Sequence, residues 1–333
     1  MIRRPGRRLA SCMALALAGL LGFGLAAPAD AQAQGAGADV AHLDYRLQAR
    51  ELAPGVFVVE GARADFSVAN GCNIINTGFI ATGAGVVVIN TGPSRRYGEQ
   101  LRALIARTTV EPVLRVVHLN LHPDYFMGNQ AFADVPRLAT PATRAGMQRE
   151  AKAYEDNLYR LCGDWMTGTE GLLPSADAPL GVERVGTHEF EWREMAGHTD
   201  SDLVLIDKAS GVVFAGGLVF AQRIPTTPHA RIAPWLDSLK ALAALAAQGQ
   251  AVVVPSHGRV AAGREGVAGT QGYLRWLDSA FRASAQRGDD MNDVLRLPVP
   301  LPWRQWAAFD TEYIRNVAHL YPRYEAQALA GRR

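Results

Sequence analysis

"HLNLHPDYFMGNQAF", residues 118–132, is the stretch on which the fold of this chain turns. It follows the apolar run "LRVV" (114–117), so His122 and Asp124 fall in a loop after a predicted strand. An imidazole and a carboxylate two residues apart are donors suited to zinc or a similar divalent ion. Their neighbours Asn120 and Tyr125 are weaker donors. His118 falls on the strand itself, where a core or hydrogen-bonded role is expected.

Two more histidines share this kind of position. His198 stands in "MAGHTDSD" (195–202), just before an apolar strand, and His257 stands in "VPSHG" (254–258), just after one. Strand-end loops on one edge of a sheet can converge on one site. A lone loop histidine is usually a surface residue. Three in matching contexts, one coupled to an Asp, make His122, Asp124, His198 and His257 the candidate metal ligands, with Asp124 also the candidate catalytic base.

Around these loops the pattern is repetitive. Strands are predicted over 55–61, as two runs within 72–92 around the turn at Thr82-Gly83-Ala84-Gly85, and over 114–120 and 137–140. Helices are predicted over 97–109 and from Pro141 to about Leu161, and 163–180 reads as loop. The second half repeats the logic. "EFEWREM" alternates as a strand, 202–217 is a hairpin turning at Ala209-Ser210-Gly211, 234–248 is an amphipathic helix, and 251–258 is an apolar strand. Helical patterns over 267–287, 290–296 and 302–328 close the chain. Meanders of strands, each set followed by a helix, predict two packed sheets with helices outside, a four-layer αββα sandwich with a helical C-terminal extension.

The first residues carry a different message. "MIRRPGRR" is basic, "LASCMALALAGLLGFGLAA" is apolar, and Ala29-Asp30-Ala31 is a small-residue cleavage site, the three parts of a secretory signal peptide. Residues 1–31 are therefore expected to be removed, 32–50 to form a flexible lead-in, 51–262 the main domain, and 263–333 the extension packed on it. Export to the periplasm or medium is expected. Cleavage removes four Arg and one Asp, taking the net charge from +2 to −1. No basic patch remains for nucleic acid or an anionic membrane surface. Cys72 and Cys162 survive, and an oxidising compartment permits a disulfide between them; buried free thiols are the alternative. There is no Gly-x-Ser-x-Gly elbow and no Gly-rich phosphate loop.

Taken in order, "LAPGVFVVEG", "GFIATGAGVVVINTG", "HPD…GNQAF", "GHTDSDLVLID", "GVVFAGGLVF" and "VVVPSHG" are similar to the metallo-β-lactamase superfamily, from about Glu51 to the end. The chain most resembles the branch of quinoprotein relay system zinc metallohydrolases, which are exported proteins. That resemblance implies zinc, hydrolysis of an unidentified small molecule, and a periplasmic quinoprotein dehydrogenase system as partner. It also implies a fuller site than this chain has. The family pattern calls for His where Asn120 and Tyr125 stand, a bridging Asp where Gly217 stands, and an Asp where Asn90 stands. What remains, His122, Asp124, His198 and His257, is too small a set for two ions and sufficient for one. The expected function is thus a hydrolase using at most one divalent ion to activate water. A non-catalytic binding or accessory protein is the alternative, and a β-lactamase is a weaker third reading.

Overall fold

In a computed structural model, residues 37–247, 252–262 and 264–331 are described. The expected signal segment, residues 1–31, and the start of the lead-in lie outside them.

The first half runs β1 (Arg50–Ala53), β2 (Val56–Val59), β3 (Thr77–Ala81), β4 (Val86–Ile89), α1 (Arg95–Thr108), β5 (Val113–Val117), α2 (Pro123–Phe126), β6 (Arg137–Ala139), α3 (Pro141–Cys162) and β7 (Ala176–Asp177). The second runs β8 (Gly181–Val185), β9 (His188–Met195), β10 (Asp202–Asp207), β11 (Val212–Phe214), α4 (Ile232–Leu245), β12 (Val252–Val254) and β13 (Ala261–Ala262). Then come α5 (Glu265–Arg287), α6 (Met291–Leu295), α7 (Leu301–Arg304) and α8 (Phe309–Ala330).

Strands β1 to β7 form one sheet in sequence order, and the second sheet runs β13-β12-β11-β10-β9-β8. Neighbours joined by tight turns pair antiparallel; β4 with β5 and β11 with β12 pair parallel because α1 and α4 carry the chain back between them. Side chains alternate across each sheet, which sorts the core into layers. Val87 and Ile89 of β4 meet Leu203 and Leu205 of β10 between the sheets. Val86 and Val88 face outward onto Leu101, Leu104 and Ile105 of α1 and Met147 and Leu158 of α3. Val204 and Ile206 face the other way, onto Trp235 and Leu239 of α4, Leu274 and Leu277 of α5, and Val317 and Leu320 of α8. This is the predicted αββα order. Each such fully buried aliphatic side chain contributes about 1.5–3 kcal/mol relative to exposure.

Local signals explain the helix starts. The Ser94 hydroxyl accepts from Tyr97 N, and the Thr140 hydroxyl accepts from Thr143 N, with Pro141 at the first position of α3. The boundaries depart from expectation in four places, one being the helix expected over 302–328, which is broken into α7 and α8 with Ala308 at φ 58° before α8. Residues 72–76 are not strand, because Asn76 is spent bracing the His257 loop: its amide donates to Pro255 O and Gly258 O. The stretch 163–180 holds a short helical turn at Gly163–Met166 and the strand β7. Strand β8 is half exposed, so its pattern is weak. Within the region read as lead-in, Tyr45 is buried against Tyr97 and Trp165 and donates to Gly71 O. Cys72 and Cys162 are joined by a disulfide across 90 residues, tying the loop before β3 to the end of α3. Among the described residues no helix is long and apolar enough to cross a membrane.

Candidate functional site

The four sequence-predicted ligands lie in the segments that follow or join strands, with Asp124 in the first turn of α2 and the other three in loops. His122 and Asp124 follow β5, His198 joins β9 to β10, and His257 follows β12. The first loop is held from behind. Asn90, with φ of 60°, stands at the end of β4, and its Oδ1 accepts Leu119 N at 3.0 Å. Thr91 N donates to Tyr125 O, and Gly128 N to Gly92 O. Gly128 is required, since a Cβ there would stand 2.1 Å from Thr91 O. His118 sits one residue past β5 instead of on it. It is a buried brace, with Nδ1 3.1 Å from Tyr125 O, and burial pulls its pKa down to about 3.

The ligands come together as two pairs. His122 and His198 pack edge to face with ring centroids 4.6 Å apart. Both Nε2 atoms are buried without a hydrogen-bond partner. His257 Nε2 is 3.0 Å from Asp124 Oδ2, and its Nδ1 is 2.8 Å from Ser256 Oγ. Phe220 stacks flat on the His257 ring at 4.8 Å. Burial lowers the His257 pKa to about 4 against the pull of Asp124, and burial with the nearby His198 holds His122 well below the ordinary imidazole range. These imidazoles are neutral at pH 7, the form that can donate a lone pair to a metal.

The substituted positions have taken up other work. Asn120 turns inward, accepting His122 N through Oδ1 and donating through Nδ2 to the buried Asp202 carboxylate; Nδ2 also lies 3.3 Å from His198 Nδ1. Thr199 N is a second donor to Asp202. Gly217 lies under the His198 ring: a Cβ added there would stand 2.0 Å from His198 Nδ1. The space a bridging carboxylate needs is therefore filled by His198. The Tyr125 hydroxyl is buried without a hydrogen-bond partner, and burial, reinforced by Asp124, raises its pKa well above the ordinary phenol value. A phenolate ligand is disfavoured there.

These observations test the residues against metal ions. Two ions do not fit, because the bridging position is closed. For one ion, the open nitrogens of His122 and His198 are donors of the right chemistry, and an unpartnered buried nitrogen calls for an occupant. The other two candidates are hydrogen-bonded to each other. Among the described residues no group of three His, Cys, Asp or Glu side chains is already disposed to hold an ion.

Two histidines join the site that sequence reading did not select. The His229 ring lies 5.3 Å from that of His122, and His319 of α8 is 3.4 Å from Thr227 Oγ1. Neither stands beside an apolar strand. The signal for His319 was its place in a helical stripe, which reads equally well as a solvated face.

A family model described as the metallo-beta-lactamase superfamily matches residues 70–257, more than half the chain. The chain belongs to this superfamily. The matched segment runs from the loop before β3 to His257 and takes in all four candidate ligands. Solved structures agree on the fold. A metallo-beta-lactamase from Pontibacter korlensis is 22% identical with a TM-score of 0.55, covering 69% of this chain and 99% of its own. One from Hirschia baltica is 19% identical with a TM-score of 0.53, covering 68% and 97%. The metallo-beta-lactamase IND-7 is 18% identical with a TM-score of 0.55, covering 69% and 98%. No curated protein matches the chain. Superfamily members are typically zinc-binding hydrolases.

Proposed function

We propose that this superfamily member is an exported hydrolase whose buried pocket works with at most one divalent ion, zinc by the chemistry of its imidazole donors. The observation that carries the reading is the pair of open Nε2 atoms on His122 and His198 beside the Asp124–His257 pair. His122 and His198 would hold the ion, with Asp124 and His257 as the remaining donors. A bound divalent ion supplies an acidified water and polarises an ester or amide carbonyl. The chain's own groups supply the proton handling. Asp124 Oδ2 and His257 Nε2 already share a hydrogen bond, so a proton taken by the carboxylate has an imidazole beside it. Phe220 and Trp235 wall the pocket against water.

The Cys72–Cys162 bond supports an oxidising compartment, and with it export after cleavage near residue 31. Coupling to a periplasmic quinoprotein dehydrogenase system is part of the proposal and rests on the sequence resemblance. The test is a metal count on the purified mature protein, expressed with zinc, beside turnover of a panel of activated esters. One equivalent, with turnover abolished in His198→Ala, is the expected result. Substantially less than one equivalent overturns the metal reading.

A second reading is favoured by the closed Asp124–His257 pair and the filled space over Gly217: a non-catalytic binding protein on the same fold. Zinc-dependent turnover lost in His198→Ala rules it out. Although solved neighbours are titled metallo-beta-lactamases, fold does not confer substrate, and we expect no hydrolysis of a carbapenem or cephalosporin above background.

A further inference from the structure

We infer that α8 and the loop at residues 227–230 build an anion subsite beside His122, formed by His229, His319 and Arg323 and suited to a carboxylate or phosphate group on the substrate.

Arg315, His319 and Arg323 lie four residues apart on α8 and so share one face. Such a stripe is usually a solvated surface. Here it is docked against the loop that carries His229. His319 Nδ1 is 3.4 Å from Thr227 Oγ1, and Arg323 Nη1 donates to Ala230 O at 2.8 Å. Thr227 is fully buried and also donates to Asn316 Oδ1, so loop and helix are fixed to each other. His229, between these contacts, places its ring 5.3 Å from His122. An anion held by His229 and His319 is therefore one residue layer outside the candidate catalytic groups.

Charge accounting points the same way. Arg315 is charge-paired with Asp65 and Glu312, both at 3.0 Å from its Nη1. Asp200 is paired with Arg231 at 3.1 Å. Among the described residues no carboxylate stands within ion-pair distance of Arg323, whose guanidinium keeps donors free. His229 has one long contact, 3.5 Å to Tyr154 Oη, and His319 has the one to Thr227. Each therefore keeps hydrogen-bonding capacity. The acids facing His229 are Glu150, beside Arg149, and Asp200, already paired with Arg231. Burial lowers the His319 pKa, and Arg315, His229 and Arg323 lower it further, so this imidazole acts as a neutral N–H donor. Guanidinium and imidazole donors brought to one loop–helix contact are the chemistry that binds an oxyanion.

The site also has an unusual origin. The matched family segment ends at residue 257, so α8 lies beyond it. The extension thus contributes a recognition element to a pocket otherwise made by the matched segment. The inference rests on reading the His122 pocket as a substrate site, but binding needs neither metal nor turnover.

The test is calorimetric titration of the intact mature protein with succinate and, separately, inorganic phosphate. The variants are His319→Gln/Arg323→Gln and, as a control on another face of the helical layer, Arg282→Gln. Saturable binding of either anion, weakened at least tenfold in the double variant and unchanged in the control, is the expected result. Arg323→Gln alone, at an exposed position, replaces the double variant should that fail to fold. No saturable binding of either anion, or equal affinity in the variant, overturns the subsite. Succinate-only and phosphate-only binding each support it and name the group. Binding without any hydrolytic turnover would sink the hydrolase reading and leave the subsite standing.

Discussion

Replacing Gly217 by Ala tests the central claim about this pocket, that His198 occupies the place of a bridging carboxylate. The added Cβ would stand 2.0 Å from His198 Nδ1, 2.7 Å from Cε1 and 3.0 Å from Cγ. Ordinary contact begins near 3.4 Å, so the ring must retreat by about 1.4 Å, the difference. It has no free direction. The ring is fully buried among His122, Phe220 and Trp235, and Trp235 is pinned by its Nε1 bond to Leu218 O. Overpacking of this kind costs about 1–3 kcal/mol. Gly217 does not adopt a left-handed conformation, so the ring contact alone accounts for the cost. Urea unfolding of wild type, Gly217→Ala, His198→Ala and the double variant closes a cycle. Gly217→Ala should destabilise by about 1–3 kcal/mol in the wild type and be neutral, or stabilising by about 0.4–1 kcal/mol, once His198 is gone. A coupling below about 0.5 kcal/mol would refute the reasoning.

Three other outcomes follow from the same physics. Removing the disulfide by Cys72→Ser/Cys162→Ser opens a loop of 90 residues and should lower stability by about 4–5 kcal/mol on the chain-entropy model, measured by urea unfolding; a loss under 1 kcal/mol would mean the bond constrains nothing. Glu312→Ala leaves Arg223, 1% exposed, with Asp65 at 3.9 Å in place of its 3.1 Å partner and should cost up to about 3–5 kcal/mol, whereas a surface pair would show under 1 kcal/mol in the same assay. Stability should fall as pH drops below about 6.5, because the unfolded chain protonates His118 while the folded chain, with its pKa near 3, does not. The unfolded state binds the extra proton, so the slope is positive with pH, and His118→Gln should flatten it by up to about 1.4 kcal/mol per unit between pH 6 and 4; an unchanged slope would contradict the burial of a neutral ring.

The fold was legible because its signals are local. The unbroken apolar runs "VVVI" of β4 and "LVLI" of β10, buried on both faces, and the helix between successive strand sets point to sheets covered on each side. His122, Asp124, His198 and His257 were findable because each ends or precedes an apolar run. Long-range properties were not. Nothing in "PTTPHARI" indicates that His229 meets His122, since that contact depends on where α4 and α8 pack. The Cys72–Cys162 bond stood open for the same reason. The weak strands β8 and β13 failed as patterns because β8 is half solvated and β13 has two residues.

The departures at 120 and 217 are coupled, and that coupling governs how a fuller metal site can be restored. Gly217→Asp alone drives His198 from its place, removing one of the two open imidazoles while adding a carboxylate. Asn120→His alone takes from the fully buried Asp202 one of its donors, leaving Thr199 N, at a cost of about 1–3 kcal/mol for a carboxylate short of a partner. Together the changes supply the extra imidazole and the carboxylate that a second ion needs, and the new carboxylate offsets the repulsion between two cations. Neither single variant should bind more zinc than wild type, while Asn120→His/Gly217→Asp should raise zinc per chain, measured by elemental analysis on folded protein. Extra zinc in Gly217→Asp alone, with wild-type stability, would show that His198 does not fill the bridging space, and the reading of a site limited to one ion would fall with it.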